Sequence, residues 1–68
     1  MIIYRSGQRI VYSPEHLNVS YEGVYIEDCC DVAVKAVFDR PLWGGKLGQI
    51  EHVARRDIKP LESINDNL

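Results

Sequence analysis

The stretch Lys46-Leu-Gly-Gln-Ile-Glu-His-Val-Ala-Arg-Arg-Asp-Ile-Lys-Pro-Leu61 constrains the fold most. Gln49 to Val53 reads as a strand, Ala54 to Asp57 as one tight helical turn, and Ile58 to Leu61 as a short closing strand. That order closes a small all-β barrel. The length fits: 68 residues make one domain, and a domain this small buries only about 60% of the surface its unfolded chain exposes. Joining a sheet into a barrel removes most of its exposed edges. Val, Ile and Tyr dominate the apolar residues, which favours strands over helices.

Upstream, Met1 to Tyr4 reads as a short first strand or an ordered arm, and Ser6-Gly7 punctuates the chain. Gln8 to Tyr12 alternates, with Ile10 and Tyr12 on one side, as a half-buried strand does. Residues 13 to 19 form a loop with one turn, opened by Ser13-Pro14. Val19 to Ile26 is a strand in which Gly23 marks a bulge or bend. Glu27 to Asp31 reads as a polar connection. Val32 to Phe38 fits a strand with Val32, Val34, Ala36 and Phe38 facing the core. A helix capped by Asp31 is the alternative, but the three valines and the clean alternation favour the strand. Pro41 ends it, and Gly44-Gly45 supplies positive φ in the following loop. The domain therefore spans residues 1–61, with a polar C-terminal tail at 62–68.

With the strands placed, the frame reads Gly7-x-Arg9-Ile10-x-Tyr12, Glu22-Gly23-Val24, Val34-x-Ala36-Val37-Phe38-Asp39 and Asp57-Ile58-Lys59-Pro60-Leu61. It resembles that of small SH3-like barrel proteins of bacteria, phages and mobile elements. The resemblance implies an all-β, SH3-like barrel of about five strands with one short 3-10 turn before the last strand. It also implies a non-enzymatic binding module, an accessory protein that docks on a protein partner. Part of the chain is similar to the plasmid-borne, trimethoprim-insensitive dihydrofolate reductases, tetramers whose pore is lined by a Val-Gln-Ile-Tyr strand. Gln49 and Ile50 match that strand, while Gly48 and Glu51 stand in place of its Val and Tyr. A ring of Glu51 side chains would repel NADPH and folate, both anionic. That likeness implies a homo-oligomeric, reductase-like enzyme with a shared site.

Four groups of residues are candidates for function. Trp43, beside Gly44-Gly45, could join Tyr12, Tyr21 and Tyr25 in a partner-binding surface, because large aromatics bring contact area at low entropy cost. The alternative is that Leu42-Trp43 folds back to plug the barrel. Arg40, Lys46, Arg55, Arg56 and Lys59 are candidate anion or nucleic-acid contacts, set against Glu51, Asp57 and Glu62 close by. His16 and His52 read as surface or half-buried histidines without chemistry. Cys29 and Cys30 are adjacent, which disfavours a structural disulfide. They read as one packed and one exposed thiol, and the flanking Glu27, Asp28 and Asp31 disfavour a reactive thiolate.

No cofactor, metal or catalytic motif is called for. The net charge of −2 gives no global attraction to nucleic acid or anionic membrane. Its distribution is uneven: residues 15–39 carry a net −5 and residues 40–60 a net +3. Either the fold separates these halves into a dipole, or it mixes them into a solvated surface. Met1 to Tyr4 is a short apolar run that Arg5 ends, so no signal peptide is expected, and no stretch reaches the roughly 20 apolar residues that a membrane span needs. The expected location is the cytoplasm. A homo-oligomer is also compatible with so thin a core.

Overall fold

The computed structural model describes residues 3–61. The expected tail at 62–68 lies outside the described residues, as do Met1 and Ile2. Five strands form one antiparallel sheet: β1 (Arg9–Tyr12), β2 (Tyr21–Cys30), β3 (Ala33–Phe38), β4 (Ile50–Ala54) and β5 (Ile58–Pro60). A single 3-10 turn, Arg55–Asp57, joins β4 to β5. The strand order is β4-β3-β2-β1-β5. The described residues are thus all-β, with five strands and a 3-10 turn before the last, and the final strand, turn and strand follow the order that the closing stretch predicts. Among the described residues no helix is long and apolar enough to cross a membrane.

Alternation builds the core. Ile10 and Tyr12 of β1, Tyr25 of β2, Val34, Ala36 and Phe38 of β3, Val53 of β4 and Ile58 of β5 join one buried cluster. A lone sheet can bury one face only by curling over itself, and side chains from both edge strands, β4 and β5, meet in that cluster. Tyr4 and Leu42 complete it from outside the sheet. Tyr4 lies in the segment before β1 and not in a strand. Its hydroxyl donates to the Ile58 carbonyl at 3.3 Å.

Residues 27–31 depart from expectation. Glu27 to Cys30 do not belong to a polar connection, because β2 runs through them to Cys30; of the five residues only Asp31 lies in a turn. Their side chains are polar because they face solvent, and the backbone still pairs, Glu27 with Lys35 and Asp28 with Val34. Register shifts between Tyr25 and Glu27, and between Asp28 and Cys30, make Ile26 and Cys29 extra residues on β2. Cys30 pairs with Ala33, so Asp31 and Val32 form a two-residue turn. Residues 33–38 are strand, not helix, but Val32 sits on the turn and is 72% exposed, outside the core. Both cysteines are exposed and free, so neither is packed.

Gly23 is needed for close approach rather than for a bend. A Cβ there would lie 2.4 Å from the Val37 carbonyl oxygen and 2.6 Å from Cδ1 of Phe38. The Phe38 side chain therefore occupies the space a side chain at position 23 would take.

Candidate functional site at the aromatic end of the sheet

Strand register brings the aromatic residues together. Tyr12 ends β1, Tyr21 begins β2, and the two are direct cross-strand partners. Their rings stack with centroids 6.2 Å apart. Phe38, at the end of β3, lies 5.6 Å from Tyr12. Trp43 comes from the loop that follows and meets Tyr12 edge-on at 6.0 Å and Tyr21 at 6.3 Å. These separations suit aromatic pairs, which favour edge-on and offset contacts.

The loop splits the two roles expected of Leu42-Trp43. Leu42 is buried in the core, whereas Trp43 is 61% exposed. A tight turn holds them: the Gly45 N–H donates to the Leu42 carbonyl at 2.7 Å. Its two central residues, Trp43 (φ 44°) and Gly44 (φ 82°), are both left-handed. Gly44 supplies positive φ as expected; the second residue with positive φ in this turn is Trp43, not Gly45. Glycine adopts that conformation freely, but a residue with a Cβ is disfavoured there by about 1–2 kcal/mol. The chain thus accepts backbone strain at an exposed tryptophan. Strain of this kind clusters at functional positions.

Arg40 completes this surface. Its guanidinium carbon sits 4.6 Å from the centroid of the Tyr21 ring, and the same group donates a hydrogen bond to the Ser20 carbonyl. The cation over the ring face is attracted by the ring quadrupole. The result is a shallow surface with Tyr12 as a buried floor, Tyr21 half-buried, Trp43 standing out and one fixed positive charge. Burial, followed by nearby Asp57 and Tyr21, raises the Tyr12 hydroxyl above its ordinary pKa, so it remains a neutral phenol.

Tyr25 is not part of this surface. It is buried farther along β2, 5.4 Å from Tyr4. Its hydroxyl donates to Oδ1 of Asp28 at 2.5 Å. Asp28 also binds the Arg55 guanidinium at 2.6 Å, and Arg55 Nε donates to the Asp31 carbonyl at 3.1 Å. The Tyr25 hydroxyl and then Arg55 hold the Asp28 carboxyl below the usual carboxylate range. The same hydrogen bond, and then burial, raises the Tyr25 hydroxyl.

The five candidate anion contacts do not converge. Arg40 is at the Tyr21 end of β2 and Arg55 is tied to Asp28 near the other end. Arg56 is a 75%-exposed side chain 3.5 Å from Glu15. Lys46 lies in the loop before β4 and Lys59 on β5, both exposed. Arg55, Arg56, Asp31, Val32 and Ala54 line an open pocket of about 450 Å³, but Arg55 turns its charge to Asp28. Ion pairs Arg55–Asp28 and Arg56–Glu15 link the acidic and basic halves of the sequence. Arg9, which lies outside both halves, joins Asp39 at 2.7 Å. His16 and His52 are exposed.

The Arg40–Tyr21 stack has no signature in the residue order, because an arginine before Pro41 does not reveal which ring it covers. Comparison with known protein families, with curated proteins and with solved structures finds no match.

Proposed function

We propose that this chain is a small non-enzymatic binding module that docks on a protein partner through Trp43, Tyr21 and Arg40, with Tyr12 as the floor. The reading rests chiefly on Trp43, an exposed tryptophan kept in a left-handed turn beside two tyrosines. Exposed aromatics with an adjacent arginine have the composition of interface hot spots. An accessory protein of a bacterium, phage or mobile element is the setting this suits, given the SH3-like frame of the sequence. The nucleic-acid reading has less support, because Arg55 is already engaged by Asp28.

The test uses Trp43 as its own reporter, since it is the single tryptophan. Partners captured from a cell extract are titrated against the purified protein. Binding is expected to shift the Trp43 emission to shorter wavelength as the ring leaves water. Trp43→Ala and Arg40→Ala are expected to weaken affinity, the first by about 2 kcal/mol or roughly thirtyfold. A captured partner with unchanged affinity for Trp43→Ala would rule out this surface.

A further inference from the structure

The two edges of the sheet are unlike each other, and among the described residues one is open. The Arg55 N–H donates to the Val32 carbonyl at 2.9 Å, and these residues continue the β3–β4 register, in which Ala54 pairs with Ala33 and Val53 with Val34. In an antiparallel ladder, hydrogen-bonded and non-hydrogen-bonded pairs alternate. Arg55, Val53 and Glu51 therefore turn their backbone groups towards β3. Ile50, His52 and Ala54 turn theirs outward. Among the described residues β4 pairs with β3 alone, which leaves these outward N–H and C=O groups without a strand partner.

The β5 edge has no comparable opening. The Leu61 N–H donates to the Arg9 carbonyl, so by the same alternation Ile58 and Pro60 face outward. Pro60 has no N–H, and the Ile58 N–H is taken by the Arg55 carbonyl. Proline and short length are the usual means of blunting a strand edge. The β4 edge carries neither proline nor lysine, and its outer side chains, Ile50 and His52, are exposed.

We propose that β4 pairs antiparallel with β4 of a second copy, across a two-fold axis at His52. In that register Ile50 lies opposite Ala54 of the second copy, His52 lies opposite its counterpart, and every outward N–H finds a carbonyl. A register centred on Glu51 sets two carboxylates against each other, and one centred on Val53 leaves a donor of each copy unmatched. The two-fold at His52 also keeps Glu51 opposite Val53 of the second copy, so no like charges are directly paired. The exposed Ile50 is covered by a small side chain in the same step. Pairing of so short a strand buries far less than the roughly 1,600 Å² of a standard interface. The association is therefore weak and concentration-dependent. It uses a different surface from the aromatic site and does not depend on it.

Light scattering and amide exchange test this on the whole chain. Wild type is expected to shift from monomer to dimer as concentration rises towards the millimolar range. The amides of Ile50, His52 and Ala54 are expected to gain protection over the same range, at least tenfold, while those of Glu51 and Val53 stay protected throughout. His52→Pro removes an N–H that β3 does not use, which an edge strand tolerates, and is expected to abolish the dimer with the circular dichroism unchanged. His52→Lys places two positive charges at the axis and is expected to do the same. Wild type that stays monomeric would overturn the proposal and leave the edge to an extended segment of another protein. A dimer that survives His52→Lys with fast-exchanging Ile50 and Ala54 amides would also overturn it.

Discussion

Replacing Trp43 by glycine and, separately, by alanine measures the backbone strain at the proposed binding surface without the complication of the ring. Both variants lose the same indole. A fully covered tryptophan buries up to roughly 250 Å², and with 61% of the residue exposed about 100 Å² is covered here. At about 25 cal/mol per Å² that is near 2 kcal/mol, an upper bound because the unfolded chain also covers part of it. This loss is common to both variants and cancels in their difference. What remains is the backbone at φ 44°. At an ordinary position alanine is the more stable residue by about 0.5–1 kcal/mol, because glycine has more freedom to lose on folding. In the left-handed region the Cβ penalty of about 1–2 kcal/mol reverses the order. Trp43→Gly is expected to be more stable than Trp43→Ala by about 1 kcal/mol. Urea denaturation followed by far-UV circular dichroism reads this directly. With a slope near 1 kcal/mol/M for a small domain, the midpoints should differ by about 1 M. Alanine equal to or more stable than glycine would refute the left-handed turn and the strain argument built on it.

Other outcomes follow from the packing and the titrating groups. Gly23→Ala sets a methyl against the Val37 carbonyl and the Phe38 ring, and should cost about 2 kcal/mol or more in a denaturant titration. Leu42→Ala, at a residue only 2% exposed, should cost about 2–5 kcal/mol and lower the melting temperature. Stability should also fall at both extremes of pH. The carboxyls of Asp28 and Asp39 are held below their ordinary range, by the Tyr25 hydroxyl and Arg55 and by Arg9 respectively. Their contribution is present above about pH 4 and is lost as pH falls through their folded values. The hydroxyls of Tyr4, Tyr12 and Tyr25 are raised, the first two chiefly by burial and the third by Asp28. That contribution is present below about pH 10 and is lost as pH rises through their raised values. Denaturation midpoints measured from pH 2 to 11 check both limbs, and a flat alkaline limb would contradict the tyrosine assignment.

Where the sequence anticipates the fold, the same local rule decides both. Ile10 and Tyr12 alternate with polar or less buried neighbours, and so do Val34, Ala36 and Phe38; alternation alone puts them inside. Ala54 to Asp57 has room for one turn and makes one. Prediction fails where pairing overrides composition. Glu27, Asp28 and Cys29 look like a connection because they are not apolar, yet a strand with one face in water needs no apolar residues there. The two bulges that keep them paired have no sequence signature of their own. Val32 fits the alternation of β3 and is still lost to the turn, because a hairpin two residues long fixes its own position from the register of Cys30 and Ala33.

The candidate sites show the same limit from the side of chemistry. Arg55 and Arg56 are neighbours in one 3-10 turn and look alike in sequence. Arg55 has a side chain only 17% exposed, clamped to Asp28, while Arg56 has one 75% exposed. The difference lies in Asp28, whose place opposite the turn is set by β2 reaching Cys30. Arg55 is thus a tie between β2 and the turn that closes the sheet. For it to contact a phosphate, the Asp28 carboxylate would first have to be released, along with the hydroxyl of Tyr25 behind it. Trp43 has no such prior engagement: its ring leans on Tyr12 and Tyr21 and leaves the larger part of its surface in water. Of the two surfaces suggested by residue type, the aromatic one can meet a partner without dismantling a contact that holds the fold.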